Sequence, residues 1–113
     1  MSTEPVPVPE ELAEWLTNRL EEIARQLRAA RGVARQQPEN AERWTLGMLS
    51  ALTDIEGEAK KAVHLLTTYG LRSKATTAAP IARACGVTIS SVTQRAGGRI
   101  ASDTWNEVWP SDR

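Results

Sequence analysis

Between Thr88 and Arg95 the chain reads TISSVTQR, a run in which hydroxyl, amide and guanidinium groups recur at helical spacing. On a helix that buries Val92, the side chains of Thr88, Ile89, Ser90, Thr93 and Gln94 point away from the buried line. A Gln carboxamide can form two hydrogen bonds with the exposed edge of adenine, Ser and Thr hydroxyls bond bases or phosphates, and an Ile can touch a thymine methyl. These five are the candidate base-reading residues. Arg95 and Arg99 flank them, with Arg72, Lys74, Thr77 and Arg83 upstream, so these six form the candidate phosphate-contacting set.

Charge placement points the same way. The 113-residue chain carries 14 basic and 14 acidic residues, so its net charge gives no hint of a polyanionic partner. Its distribution does. Residues 1–70 hold 8 Lys and Arg against 11 Asp and Glu, whereas residues 71–113 hold 6 against 3. No carboxylate occurs between Glu58 and Asp103, a clearance that leaves the phosphate-facing segment without local repulsion.

The elements that must hold these side chains are two short helices. Pro80 has no N–H and belongs in a first turn, which puts the helix cap at Thr76 or Thr77. Gly86 ends that helix, Thr88 caps the next, and Gly97 and Gly98 close the second. The segment IARACGVTISSVTQRA resembles the core of the helix-turn-helix DNA-binding family, with small Ala82 at the helix crossing and Gly86 in the turn. Ile81, Cys85, Val87 and Val92 correspond to that family's buried apolar set. The resemblance covers about 20 residues and is also similar to compact regulators of high-GC bacteria. It implies that residues 88–96 form a recognition helix entering the major groove. Ala96 is smaller than the residue usual late in such a helix, so its packing is expected to be completed from elsewhere.

Upstream lies a long apolar periodicity. Leu12, Leu16, Leu20, Ile23, Leu27, Ala30 and Ala34 recur at spacings of three and four, and Ala41 to Tyr69 repeat the pattern after a break at RQQPEN, near Pro38. Glu10, Glu11 and Glu14 suit the first turns of the first helix. Gly70 is read as the terminator of the second. The short break predicts an antiparallel hairpin, in which Lys60 and Lys61 face Glu14 and Glu11. Two facing helices leave part of each stripe uncovered, and a second copy of the chain would cover it, so we expect a homodimer through residues 10–69.

The expected organisation is all-α: a mobile Pro-rich lead (1–8), a long antiparallel helical hairpin as dimerisation arm (9–70), and a helix-turn-helix unit with a short C-terminal helix (71–113). That last helix is expected to open with Thr104 and Glu107 as a capping box and to stop before Pro110, with Trp105 and Trp109 on one face. A winged strand pair is the alternative for the same residues.

Other chemistry finds little support. Cys85 is the single cysteine, which excludes an intrachain disulfide and fits a reducing, cytoplasmic setting. His64 is the single histidine, with no clustered second ligand, so no metal, cofactor or catalytic role is expected. A row of Arg25, Arg28, Arg31 and Arg35, free of acids from residue 23 to 38, makes the bend end of the hairpin basic and a possible docking surface for an acidic protein or flanking phosphates. The function expected is sequence-specific recognition of double-stranded DNA by a dimeric transcriptional regulator. A coiled-coil adaptor for protein partners, with a C-terminal docking domain that does not bind DNA, is the alternative.

Overall fold

The computed structural model describes residues 7–36 and 39–110. Within them the chain is all-helical: α1 (Glu10–Arg35), α2 (Ala41–Arg72), α3 (Ala78–Cys85), α4 (Ile89–Ala96) and α5 (Arg99–Val108). Most of the lead (1–6) and the break at Gln37 and Pro38 lie outside the described residues. No described helix is long and apolar enough to cross a membrane.

Helices α1 and α2 form the expected hairpin. Their antiparallel register is fixed by Leu12 meeting Leu65 in the core near one end and by the Arg19–Glu58 ion pair at 2.5 Å further along. The Asn40 side chain caps α2 by accepting from the Arg43 N–H at 3.1 Å. Helix α2 runs unbroken through Gly47 and Gly57. It also continues through Gly70, which was expected to end it. That glycine serves a different purpose: a Cβ there would stand 3.1 Å from Thr76 Cγ2 and 3.5 Å from Ile81 Cδ1, so its bareness lets α3 approach. Ser73 closes the helix, its hydroxyl donating to the Tyr69 carbonyl at 2.6 Å.

The core sits at the base of the arm rather than along it. Leu12, Leu65 and Val108 are its buried centre, ringed by Trp15, Tyr69, Trp105 and Trp109. Trp105 and Trp109 share a face of α5, as their spacing required, and pack against the arm. Helix α5 starts at Arg99, five residues ahead of the expected capping box. Thr104 is instead buried within it, donating to the Ile100 carbonyl at 2.7 Å. A threonine can serve a cap or bond back along a helix, and burial of Thr104 in line with Ala101 and Val108 selects the second use here. Toward the bend the hairpin has no third layer, and Leu20, Leu27, Leu49 and Leu52 stay about half exposed.

The arm's other charges pair differently from expectation. Among the described residues Lys61 pairs with Glu58 at 3.8 Å and Lys60 pairs with no carboxylate, so neither lysine meets Glu14 or Glu11. The Glu58 carboxylate is already drawn between Arg19 and Lys61, and Glu11 accepts from the indole of Trp109, the C-cap of α5.

Candidate nucleic-acid interface

Helix α3 begins after Thr77 and ends at Gly86, whose φ of 67° is left-handed. From there the Val87 N–H returns to the Ala82 carbonyl at 3.0 Å and the Gly86 N–H to the Arg83 carbonyl at 3.3 Å, so the turn closes as a Schellman motif. Two residues later Thr88 Oγ1 accepts from the Ser91 N–H at 3.1 Å and starts α4. The turn chemistry and cap thus lie where the sequence put them. Thr77 occupies the N-cap position of α3 without a side-chain hydrogen bond, leaving its exposed hydroxyl open.

Helix α4 is held by its opposite face. Val92 is 1 % exposed and Ala82 lies buried. The Thr68 hydroxyl donates to the Ala96 carbonyl at 3.1 Å, so α2 supplies the fastening that a small Ala96 cannot. Thr88, Ile89, Ser90, Thr93 and Gln94 are all exposed, with Ile89 at 54 %. Their ridge is uncovered by the arm or by α5. Thr93 Oγ1 donates to the Ile89 carbonyl at 3.2 Å, which leaves its oxygen lone pairs free to accept.

The cationic set is less uniform. Lys74, in a left-handed turn with φ 60°, and Arg83 are exposed and pair with no carboxylate among the described residues. Arg72 lies over the Trp105 ring, 4.5 Å from its centroid, and so braces α5. Arg99 is exposed but stands 3.8 Å from Asp103, one turn away. Arg95 is half-buried and turned toward α2, where it and Lys60 flank His64. The imidazole's pKa is lowered by burial first, then by Arg95 and Lys60. His64 Nδ1 is buried without a hydrogen-bond partner.

Two residues change role. Cys85, expected in the buried set, is exposed at the end of α3. It borders an open groove with Val63, His64, Ala84 and Arg95: Cys85 shares the Ile81 face of α3 but lies at the helix end, where that face and α2 leave the groove between them unfilled. Lys60, expected opposite Glu14 in the hairpin, joins the basic surface instead. Its position one turn before His64 on α2 is the only trace of that role in the sequence.

The basic row near the bend is partly neutralised. Arg25 holds Glu22 through bonds of 2.9 and 2.5 Å, and with Gln26 it lowers the Glu22 carboxyl to about 2. Arg28 and Arg35 pair with no carboxylate among the described residues.

Comparison with protein-family models, curated proteins and solved structures finds no match. Function therefore has to be argued from the geometry. Among the described residues no three His, Cys, Asp or Glu side chains gather as metal ligands. What the surface offers is an exposed eight-residue helix with short polar side chains, backed by a buried valine and bordered by cations.

Proposed function

We propose that the protein binds double-stranded DNA sequence-specifically as a dimeric transcriptional regulator, with α4 in the major groove. The observation that carries this reading is the open ridge of Ser90, Thr93 and Gln94 on a helix anchored by Val92, within a stretch that lacks any acid from Glu58 to Asp103. Gln94 and the hydroxyl residues read base edges, and Ile89 meets a thymine methyl. Lys74, Thr77 and Arg83 are free to hold phosphates, Arg99 joins them by giving up a long, exposed pairing with Asp103, and Arg72 and Arg95 contribute mainly through their field. Dimerisation through the arm would pair two such helices on a near-palindromic site.

The half-exposed leucines of the arm favour a second reading, that of a coiled-coil adaptor docking on other proteins. Gel-shift titration of random and selected duplexes at two salt concentrations separates the two. A regulator gives affinity that falls steeply with salt and a preferred sequence. Affinity that is absent or flat in salt rejects DNA binding.

A further inference from the structure

Leu20 and Leu27 of α1 and Leu52 and Val63 of α2 lie on one side of the hairpin, whereas Leu46 and Leu49 point away from α1. On α1, Leu12 and Ala30 mark the line facing α2, and Leu20 and Leu27 stand about 70° round from it. On α2, Leu52 and Val63 stand about 90° round from buried Ala62 in the same rotational sense. In two antiparallel helices the same sense leads to the same side. The other side carries Arg25, Gln26 and Asp54 around a shorter apolar strip of Ala29, Val33 and Ala51, and the base of that side receives α5.

The charges along the outer edge of α1 indicate what covers this face. Glu14, Glu21, Arg28 and Arg35 follow one another at seven-residue steps, acidic toward the base and basic toward the bend. None forms an ion pair among the described residues. Such an edge complements itself when reversed. We propose that two copies of the chain stack this face antiparallel, α1 on α1, about a two-fold axis passing at Ala24. Leu20 then lies opposite Leu27 of the partner subunit, Glu21 opposite Arg28 of the partner subunit, and Glu14 opposite Arg35 of the partner subunit. All three pairings centre within one residue of Ala24, whose small side chain admits close approach. By the Arg19–Glu58 register, Leu52 of α2 falls at the same level and thickens the centre of the seam. A parallel pairing would instead set Glu21 on Glu21 and Arg28 on Arg28.

The arrangement rests on the dimeric reading given above and adds its face, polarity and centre. It also sets the geometry of the whole. Each α4 is fastened to Thr68, far from the centre, which separates the two recognition helices by roughly 40 Å along the arm. They sit on the side of α2 away from α1, so both ridges face one direction along the two-fold axis, as one DNA duplex requires.

Charge reversal and site-directed crosslinking test this on the full chain. Sedimentation equilibrium is expected to give a dimer that Glu21→Arg or Arg28→Glu alone weakens about ten-fold, with the double reversal restoring it. In a Cys85→Ser background, a short thiol-to-thiol crosslinker should join chains carrying Ala24→Cys. It should not join chains carrying Thr17→Cys, which the antiparallel seam holds about 20 Å apart and a parallel one would hold together. A dimer that crosslinks through Thr17→Cys, or whose double reversal is as weak as the singles, overturns the proposed seam while leaving dimerisation intact. A monomer at every concentration overturns both.

Discussion

Trp15 and Glu107 stand 92 positions apart and meet through an indole N–H that donates to Oε2 at 3.2 Å. The exchange is reciprocal: the Trp109 indole donates to Glu11 at 3.2 Å, so the first helix and the last clasp each other twice. Arg19 completes the clasp, its guanidinium over Trp15 at 5.0 Å and 3.5 Å from Glu107. The consequence is mechanical. Helix α5, which follows directly on α4, is tied to the arm, so the orientation of α4 is set by the hairpin.

Apolar burial should outweigh hydrogen bonding in that clasp. Trp109 packs on Tyr69 and Trp105, with ring centroids 6.3 and 4.4 Å away. Trp109→Ala is expected to cost about 2 to 3 kcal/mol of stability, toward the low end for a large aromatic because the ring is only half-buried. Removing only the exposed hydrogen bond with Glu11→Ala should cost under about 1 kcal/mol. Urea denaturation of both variants measures the difference, and similar losses would show that the polar exchange dominates.

His64 should make stability fall on mild acidification. Its folded pKa lies below the ordinary imidazole value of 6.5, so the unfolded chain takes up the proton first. Stability is therefore fully present above that unfolded value and declines as pH drops from it toward the folded pKa. Thermal midpoints of wild type and His64→Gln, compared across pH, should keep a constant offset above neutrality and shift in favour of the variant below about 6.5. An offset unchanged over the whole range would mean that the imidazole is freely solvated.

Base reading and phosphate holding should separate by mutation. Gln94→Ala is expected to lose about 1 to 3 kcal/mol of discrimination at one base pair while leaving random duplex nearly unaffected. Lys74→Ala and Arg99→Ala should weaken all sequences alike and each lower the salt slope by about 1. Fluorescence titration with a selected duplex and its single-base variants provides the comparison. Equal losses from all three variants on every duplex would remove Gln94 from base readout.

Glycine replacements should differ in sign. Gly47 and Gly57 sit in α2 with nothing within 4 Å of an added Cβ, so Gly57→Ala should stabilise by about 0.5 to 1 kcal/mol. Gly86→Ala meets no crowding either, yet its left-handed φ of 67° should make it cost about 1 kcal/mol or more. Chemical denaturation of the two variants gives both signs in one experiment. A stabilising Gly86→Ala would refute the left-handed turn.

Much of this was legible in the chain itself, wherever the cause is local. A helix that buries one face must repeat its apolar residues at three and four, and so Glu10–Arg35 and most of Ala41–Arg72 could be read directly. Gly86 and Thr88 announced the turn and the cap because few residues serve a left-handed bend or a first-turn acceptor. Burial of Val92 alone places Ser90 and Gln94 on the far side of α4, whereas the exposure of Thr88 and Ile89, one turn before Val92 on its own side, is set by what packs around the helix start.

Only the tertiary structure decided how those helices use their side chains. Gly70 is a place of close approach instead of a terminator, Thr104 bonds back inside α5 instead of capping it, and Cys85 faces solvent. Arg72 is engaged by Trp105 and Arg95 turns toward His64, so neither stands as free as its place in an acid-free stretch implied. For Gly70, Arg72 and Arg95 the deciding neighbour lies on another helix. Glycine, threonine and arginine each have several low-energy roles, and burial against a distant partner selects one of them, which periodicity along a single helix cannot encode.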